Sequence, residues 1–125
     1  MCHGKIILVE VSLYFVLYMK GGFHMINKIY TIDEIRKIIF PIAIRYGVER
    51  MYLFGSYARG EATSQSDLDF RLDKGAIKGL VSLGGLYNDL SASFEKELDL
   101  LTTGSLDEEF LNEIANEEIV VYERV

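Results

Sequence analysis

Asp67 and Asp69 are separated by a single residue in a stretch that alternates polar and apolar side chains (DLDFRL). That alternation is typical of a half-buried β-strand, and residues two apart on a strand project from the same face. The two carboxylates are therefore predicted to converge. Two carboxylates at short range repel each other, which disfavours their ionised forms, and a bound cation offsets this repulsion. The pair is a candidate metal site.

Asp99 adds a third acid on a separate predicted strand, where two leucines flank it. If that strand neighbours the first, three carboxylates meet on one face of a sheet. Such a set suits two Mg²⁺ ions, which clamp the attacking and leaving oxygens of a phosphoryl displacement. Glu97 has the same strand parity and is an alternative third acid, although the flanking leucines favour Asp99. We predict that Asp67, Asp69 and Asp99 are the catalytic and metal-binding residues.

A Gly-Ser turn, Gly55-Ser56, follows a predicted strand at residues 48–54. Gly55 permits close approach of the backbone to a ligand, and Ser56 adds a hydroxyl next to the first amides of a short helix predicted at residues 56–61. Helix N-termini bind phosphate through free N–H groups and the positive end of the dipole. Arg59, one turn further on, can direct its guanidinium at a phosphate or a carboxylate. We predict that Gly55, Ser56 and Arg59 bind nucleotide phosphates; a purely structural role for Arg59 stays open.

Few other side chains in the sequence can do chemistry. Its only cysteine is Cys2, and its only histidines are His3 and His24. Hydrolases that use a Ser-His or Cys-His pair, and metal sites built from Cys or His, are therefore disfavoured. A metal bound by the remaining oxygen ligands would be a hard ion such as Mg²⁺. A lone cysteine also fits a reducing cytoplasm.

The net charge of the 125-residue chain is −6. Autonomous binding to DNA or RNA needs clustered Lys and Arg, so direct contact with nucleic acid is not expected. A basic protein is the more suitable macromolecular partner. The length suits one small domain. Half of the residues are apolar, which is enough for a folded core.

The predicted secondary structure alternates between helix and strand. Thr31 and Glu34 form a capping box at the start of the first helix, Gly47 is a suitable stop for it, and Pro41 is expected to kink or divide it. Strands are predicted at residues 48–54, 67–72, 97–102 and 119–122, and further helices at residues 56–61, 80–94 and 106–116. This order predicts an α/β (α+β) domain with a small mixed β-sheet flanked by helices.

The first 24 residues differ in character from the rest. Residues 6–19 (IILVEVSLYFVLYM) are almost entirely apolar but too short for a comfortable membrane span. A signal-peptide core and an extra β-strand are two interpretations of this stretch. We favour a third, in which residues 1–24 are an N-terminal appendage of unassigned function and residues 25–125 are the domain. No membrane association is expected.

The run GSYARGEATSQSDLDF, residues 55–70, resembles the signature of the polymerase-β-like nucleotidyltransferase superfamily. Its ARG and SD-x-D segments, with the small size of the chain, resemble the minimal (MNT) branch. The resemblance covers most of residues 25–125. It implies that Gly55 and Ser56 bind a triphosphate, that Asp67 and Asp69 hold the metal ions, and that Asp99 shares one metal and helps to activate the incoming hydroxyl. That hydroxyl would attack the α-phosphate and release pyrophosphate.

Minimal members of this superfamily are typically paired with a HEPN-type ribonuclease toxin. The resemblance therefore implies a cytoplasmic antitoxin that associates with such a toxin and transfers AMP from ATP to one of its hydroxyl groups, a tyrosine in known cases. One alternative is a binding module that blocks the toxin without catalysis. Another is nucleotidyl transfer to a small molecule or to RNA. The base preference and the stoichiometry stay open.

Overall fold

The computed structural model of the protein describes residues 28–125. These residues form a four-stranded sheet with three α-helices. In chain order the elements are α1 (Ile32–Tyr46), β1 (Arg50–Phe54), β2 (Leu68–Asp73), α2 (Gly79–Phe94), β3 (Leu98–Thr102), a 3₁₀ turn (Thr103–Ser105), α3 (Glu108–Ala115) and β4 (Ile119–Glu123). The predicted class, a small mixed sheet flanked by helices, is confirmed. The predicted appendage at residues 1–24 lies outside the described residues.

The strands lie in the order β3-β2-β1-β4. β1 runs antiparallel to both β2 and β4, whereas β2 and β3 are parallel. A parallel pair needs a crossover connection, and α2 supplies it between β2 and β3. This connection makes β2, with its two predicted acids, and β3, with the third, direct neighbours.

The two faces of the sheet have different compositions. On one face, α1 and α2 pack against strand residues that are fully buried, among them Leu53, Leu68, Phe70 and Leu72. Burying one such side chain contributes about 1.5–3 kcal/mol, so this face carries most of the hydrophobic stabilisation. On the opposite face, α3 covers only part of the sheet. There Phe54, Leu101 and Ile114 form a small second cluster.

Helix α1 begins where the sequence predicts. The Thr31 hydroxyl accepts from the Glu34 amide at 3.1 Å, and the Glu34 carboxylate accepts from the Thr31 amide at 2.9 Å. The helix ends at Gly47, which has a φ of 70°. Pro41 does not divide the helix, which is continuous from Ile32 to Tyr46. Pro41 is exposed, and so is Lys37, four residues earlier, whose carbonyl loses its hydrogen-bond donor.

The prediction of a short helix at residues 56–61 is wrong. The segment is a series of hydrogen-bonded turns, in which the Arg59 amide donates to the Gly55 carbonyl at 3.1 Å and the Glu61 amide to the Ser56 carbonyl at 2.9 Å. Gly60 has a φ of 74°, a left-handed conformation that no α-helix continues through. The dipole of a helix therefore does not contribute to anion binding at Gly55-Ser56.

The other predicted elements are present with shifted ends. β2 starts at Leu68, so Asp67 directly precedes the strand. α3 is shorter than predicted because Asp107 caps it, its carboxylate accepting from the Phe110 amide at 2.8 Å. Among residues 28–125, no helix has both the length and the apolar character needed to cross a bilayer.

Candidate active site

The strand register places three predicted site positions side by side. Asp69 on β2 pairs with Phe54 on β1 and with Asp99 on β3. Gly55 follows Phe54 directly, so the glycine turn and the two acids lie across three adjacent strands. Asp69 and Asp99 are half-buried between fully buried neighbours, which point to α1 and α2. Both acids therefore face the side of the sheet that α3 covers in part.

Asp67 lies two residues before Asp69, directly before the start of β2, and we call Asp67, Asp69 and Asp99 together the row of acids. Glu97, the alternative third acid, is exposed and precedes β3, whereas Asp99 lies within the strand, opposite Asp69. The geometry favours Asp99. On the neighbouring helix α2, burial raises the pKa of Tyr87 to about 12, and the charges of Asp99, Glu97 and Asp67 add to that rise.

Gly55 is required by its conformation and by its neighbour. Its φ of 77° is left-handed, and a Cβ at this position would collide with Asp69 Oδ2. The same Cβ would lie 3.1 Å from Asp69 Cγ, closer than ordinary van der Waals contact. Only a glycine leaves space for the carboxylate directly against the backbone, so the turn and the row of acids form one site.

The rest of the turn is fixed by Tyr57, whose ring is buried in the main core. Its hydroxyl donates to the Lys28 carbonyl at 3.4 Å, and burial raises the pKa of its phenol. Tyr57 therefore has a packing role. Ser56, just before it, is half-buried at the mouth of the turn.

Arg59 contacts two carboxylates. Its Nε donates to Glu61 at 3.0 Å, and its Nη1 donates to Glu117 Oε1 and Oε2 at 3.2 and 3.3 Å. These hydrogen bonds, to Glu61 first and then to Glu117, raise the pKa of Arg59. Glu117 Oε2 also accepts from the Gly55 amide at 2.6 Å. The Gly55 amide and the Arg59 guanidinium, both predicted to bind phosphate, therefore donate to the same carboxylate, that of Glu117.

No pattern in the sequence points to a role for Glu117, which lies 62 residues from Gly55. Glu117 lies in an acidic stretch, residues 107–118, whose composition alone is typical of a solvated helix face. The contact depends on how α3 docks against the sheet, and no spacing rule along the chain encodes that docking.

Arg71 was also missed. It lies on β2 two residues after Asp69, and its guanidinium donates to Glu118 at 2.6 and 2.9 Å and to Thr103 at 2.7 Å. The same group lies 3.8 Å from the centre of the Tyr52 ring. The side chains of Arg71 and Glu118 are 11% and 10% exposed, so water screens this ion pair little. It fixes the connection between α3 and β4 to the site face.

The ligand chemistry of the row of acids fits a hard divalent cation, because carboxylate oxygens are the ligands that Mg²⁺ prefers. Within the part of the chain that the structure describes, no group of three or more His, Cys, Asp or Glu side chains is gathered tightly enough to form a ready-made metal site. The assignment of Asp67, Asp69 and Asp99 as metal ligands stays a prediction.

Comparison with known proteins identifies the class. The model of the family described as Polymerase beta, Nucleotidyltransferase, matches residues 36–125. The chain belongs to this family, and it is therefore a nucleotidyltransferase.

Two archaeal relatives are similar over almost their whole length. A Methanocaldococcus jannaschii protein is 39% identical over 91 residues, which are 73% of this chain and 98% of the relative; its name assigns it, without demonstration, protein adenylyltransferase activity. The protein adenylyltransferase MntA of Thermococcus cleftensis is 32% identical over 95 residues, which are 73% of this chain and 96% of the relative. The chain is thus related to protein adenylyltransferases.

Solved structures share the fold. A structure described as a minimal nucleotidyltransferase has a TM-score of 0.63 at 25% identity, covering 72% of this chain and 95% of the other. A toxin-antitoxin complex with AMP-PNP gives 0.62 at 18% identity, covering 71% and 73%. The MNT antitoxin complex with the tri-AMPylated HEPN toxin of Shewanella oneidensis gives 0.58 at 14% identity, covering 75% and 74%. At such low identity the two complexes show the common fold alone.

Proposed function

We propose that this nucleotidyltransferase transfers AMP from ATP to a hydroxyl group of a partner protein, and that it acts as the antitoxin of a HEPN-type toxin whose tyrosine is the acceptor. The observation that carries the proposal is the register of three adjacent strands, which pairs Asp69 with Asp99 and with Phe54, the residue directly before Gly55. The protein adenylyltransferase names of the relatives and the toxin-antitoxin complexes among the structural neighbours support it. Two Mg²⁺ ions and ATP are part of the proposal.

Each group of the site has a role in this proposal. Asp67, Asp69 and Asp99 would hold the cations, which when bound neutralise charge on the triphosphate and polarise the phosphorus. The Gly55 amide, the Ser56 hydroxyl and Arg59 bind the phosphates. The acceptor hydroxyl gives up its proton to solvent, helped by Asp99, and its oxygen bonds to the α-phosphorus as the bond to pyrophosphate breaks. The contribution of the chain is positioning and charge stabilisation.

The acceptor has to come from outside the described sheet and helices. α3 covers the site face only in part, so a segment of another protein can approach the row of acids. The net charge of −6 favours docking on a basic surface, as an RNA-binding toxin would present. Residues 25–125 are the catalytic domain in this proposal, residues 1–24 are an appendage, and the complex with the toxin forms in the cytoplasm.

The test uses labelled ATP, Mg²⁺ and the HEPN-type protein encoded next to this chain. Wild type is compared with the double variant Asp67→Asn and Asp69→Asn. The matched control is Asp33→Asn with Glu113→Gln, which removes two negative charges at exposed positions that do not belong to the row of acids. We expect the label on the partner to disappear in the first variant and to persist in the control. Peptide mass spectrometry of the labelled partner then identifies the modified residue, which we expect to be a tyrosine.

The proposal fails if wild type transfers no label and the double aspartate variant still neutralises the toxin fully. That result would favour a binding module that blocks the toxin by complex formation. Label found on RNA or on a small molecule, with none on the partner, would equally contradict it.

A further inference from the structure

The carboxylate of Glu117 accepts hydrogen bonds from two groups that are suited to bind phosphate. Gly55 N–H donates to Glu117 Oε2 at 2.6 Å, and Arg59 Nη1 donates to both oxygens at 3.2 and 3.3 Å. A backbone amide in a glycine turn and a guanidinium fork are the donors that proteins use for phosphate oxygens. In this structure, an anion from the chain itself takes both.

The position of this contact places it at the proposed catalytic site. Gly55 is so close to Asp69 that a Cβ would collide with that carboxylate. An anion on the Gly55 amide is therefore directly beside the row of acids. The amide has one hydrogen to donate, so a nucleotide phosphate and the Glu117 carboxylate compete for it.

We propose that Glu117 is an internal competitor of the nucleotide, an autoinhibitory contact that the triphosphate must displace before the site is complete. This inference rests on the proposed function for the identity of the displacing ligand. Displacement frees the Gly55 amide and the Nη1 of Arg59 together, and both then bind the phosphate. The displaced carboxylate moves into solvent, to which the Glu117 side chain is already 22% exposed.

The surroundings of Glu117 allow a side-chain movement without movement of the backbone. The adjacent Glu118 is held by Arg71 through two hydrogen bonds, and Ile114, three residues before Glu117, is buried against Phe54 and Leu101. The Glu117 and Glu118 amides both donate to the Ile114 carbonyl, at 3.0 and 3.1 Å. The segment stays in place while one rotamer changes.

As a consequence, whether a ligand displaces Glu117 depends on the negative charge that the ligand carries. A triphosphate with its metal brings enough charge and enough acceptor oxygens to replace the carboxylate, whereas adenosine brings neither. Removing the competitor should raise the affinity for any ligand that uses the Gly55 amide and Arg59. A charge-assisted hydrogen bond of this kind corresponds to a change of about tenfold or more in affinity.

The experiment measures binding by calorimetry with two probes, a non-hydrolysable ATP analogue with Mg²⁺ and inorganic tripolyphosphate with Mg²⁺. The proteins are wild type, Glu117→Gln, Glu117→Ala and the control Glu113→Gln, which removes the same charge from an exposed position of α3. Thermal unfolding without ligand confirms that each variant is folded, and Glu117→Gln keeps the shape of the side chain. We expect both Glu117 variants to bind both probes about tenfold more tightly or better, and the control to match wild type.

Three outcomes separate this inference from the proposed function. If the Glu117 variants bind the probes no more tightly than wild type, while wild type labels its partner, the inference is overturned and the proposed function stands. If the variants bind tripolyphosphate more tightly and no protein binds the ATP analogue, Glu117 does guard a phosphate site, and the proposed function is overturned. If no protein binds either probe, both are overturned.

Discussion

The face of the sheet covered by α1 and α2 is a continuous apolar surface, in which Leu68, Phe70 and Leu72 of β2 are fully buried. The opposite face of the same strand carries the charged residue types Asp69, Arg71 and Asp73, all partly buried. One strand thus serves both faces by alternation of its side chains. The first face is stabilised by removal of apolar area from water, and the second by charge pairs between distant segments. We therefore expect substitutions on the first face to change stability, and those on the second to change chemistry or docking of α3.

Adjacent residues of β2 give the sharpest test. Phe70→Ala should lower the free energy of unfolding by about 3–5 kcal/mol, because it leaves a cavity in the main core. Asp69→Asn should change that free energy by less than about 1 kcal/mol, because removal of one of three neighbouring negative charges relieves repulsion. It should nevertheless abolish AMP transfer. Denaturant unfolding measures the first quantity and transfer of labelled AMP the second; similar losses of stability in the two variants would break the comparison.

The ion pair of Arg71 with Glu118 attaches the segment after α3 to the charged face. Glu118→Ala should destabilise the protein by about 3 kcal/mol, because it leaves a guanidinium that is only 11% exposed with no carboxylate closer than that of Asp73, at 3.7 Å. Chemical denaturation measures this loss. Glu123→Ala is the control, since that glutamate pairs with Arg50 at 2.9 Å but is 57% exposed and should contribute little. Equal effects of the two would mean that burial does not distinguish these ion pairs.

The difference between the faces also explains what the sequence predicts well. Alternation in residues 67–72 and helical spacing in α1 and α2 are local patterns, and the strands and the long helices follow from them. The sequence predicts that Asp69 and Asp99 meet only if their strands are neighbours, and the parallel pairing of β2 with β3 meets that condition. The short helix at residues 56–61 was wrong because Gly60 adopts a left-handed conformation. Glu117 was missed because its contact with Gly55 spans 62 residues. A carboxylate that pairs across such a distance leaves no periodic signal in the chain.

Two glycines with the same backbone conformation separate local strain from a requirement of the site. Gly55 and Gly60 have φ values of 77° and 74°, but a Cβ at Gly60 meets nothing within 4 Å. Gly60→Ala should lower the free energy of unfolding by about 1–2 kcal/mol and leave AMP transfer intact. Gly55→Ala should cost more than that and abolish transfer, because its Cβ collides with Asp69. Thermal unfolding and the labelling assay measure both; full activity of Gly55→Ala would contradict the close approach.

The smallest predicted effect is a loss of stability at alkaline pH that Tyr87 contributes from the apolar face. Burial raises the pKa of its phenol from 10.0 to about 12, so the folded protein holds this proton more tightly than the unfolded chain does. The contribution is fully present below pH 10, and it is lost as the pH rises toward 12. By pH 11 the loss of stability amounts to about 1 kcal/mol.

The variant Tyr87→Phe has no phenol to ionise, so its free energy of unfolding should fall less steeply than that of wild type between pH 10 and pH 12. Tyr46, whose pKa burial and Asp89 raise to about 12, gives a parallel slope in both proteins. Urea unfolding at a series of pH values compares the slopes, and identical slopes would show that Tyr87 is not buried as described.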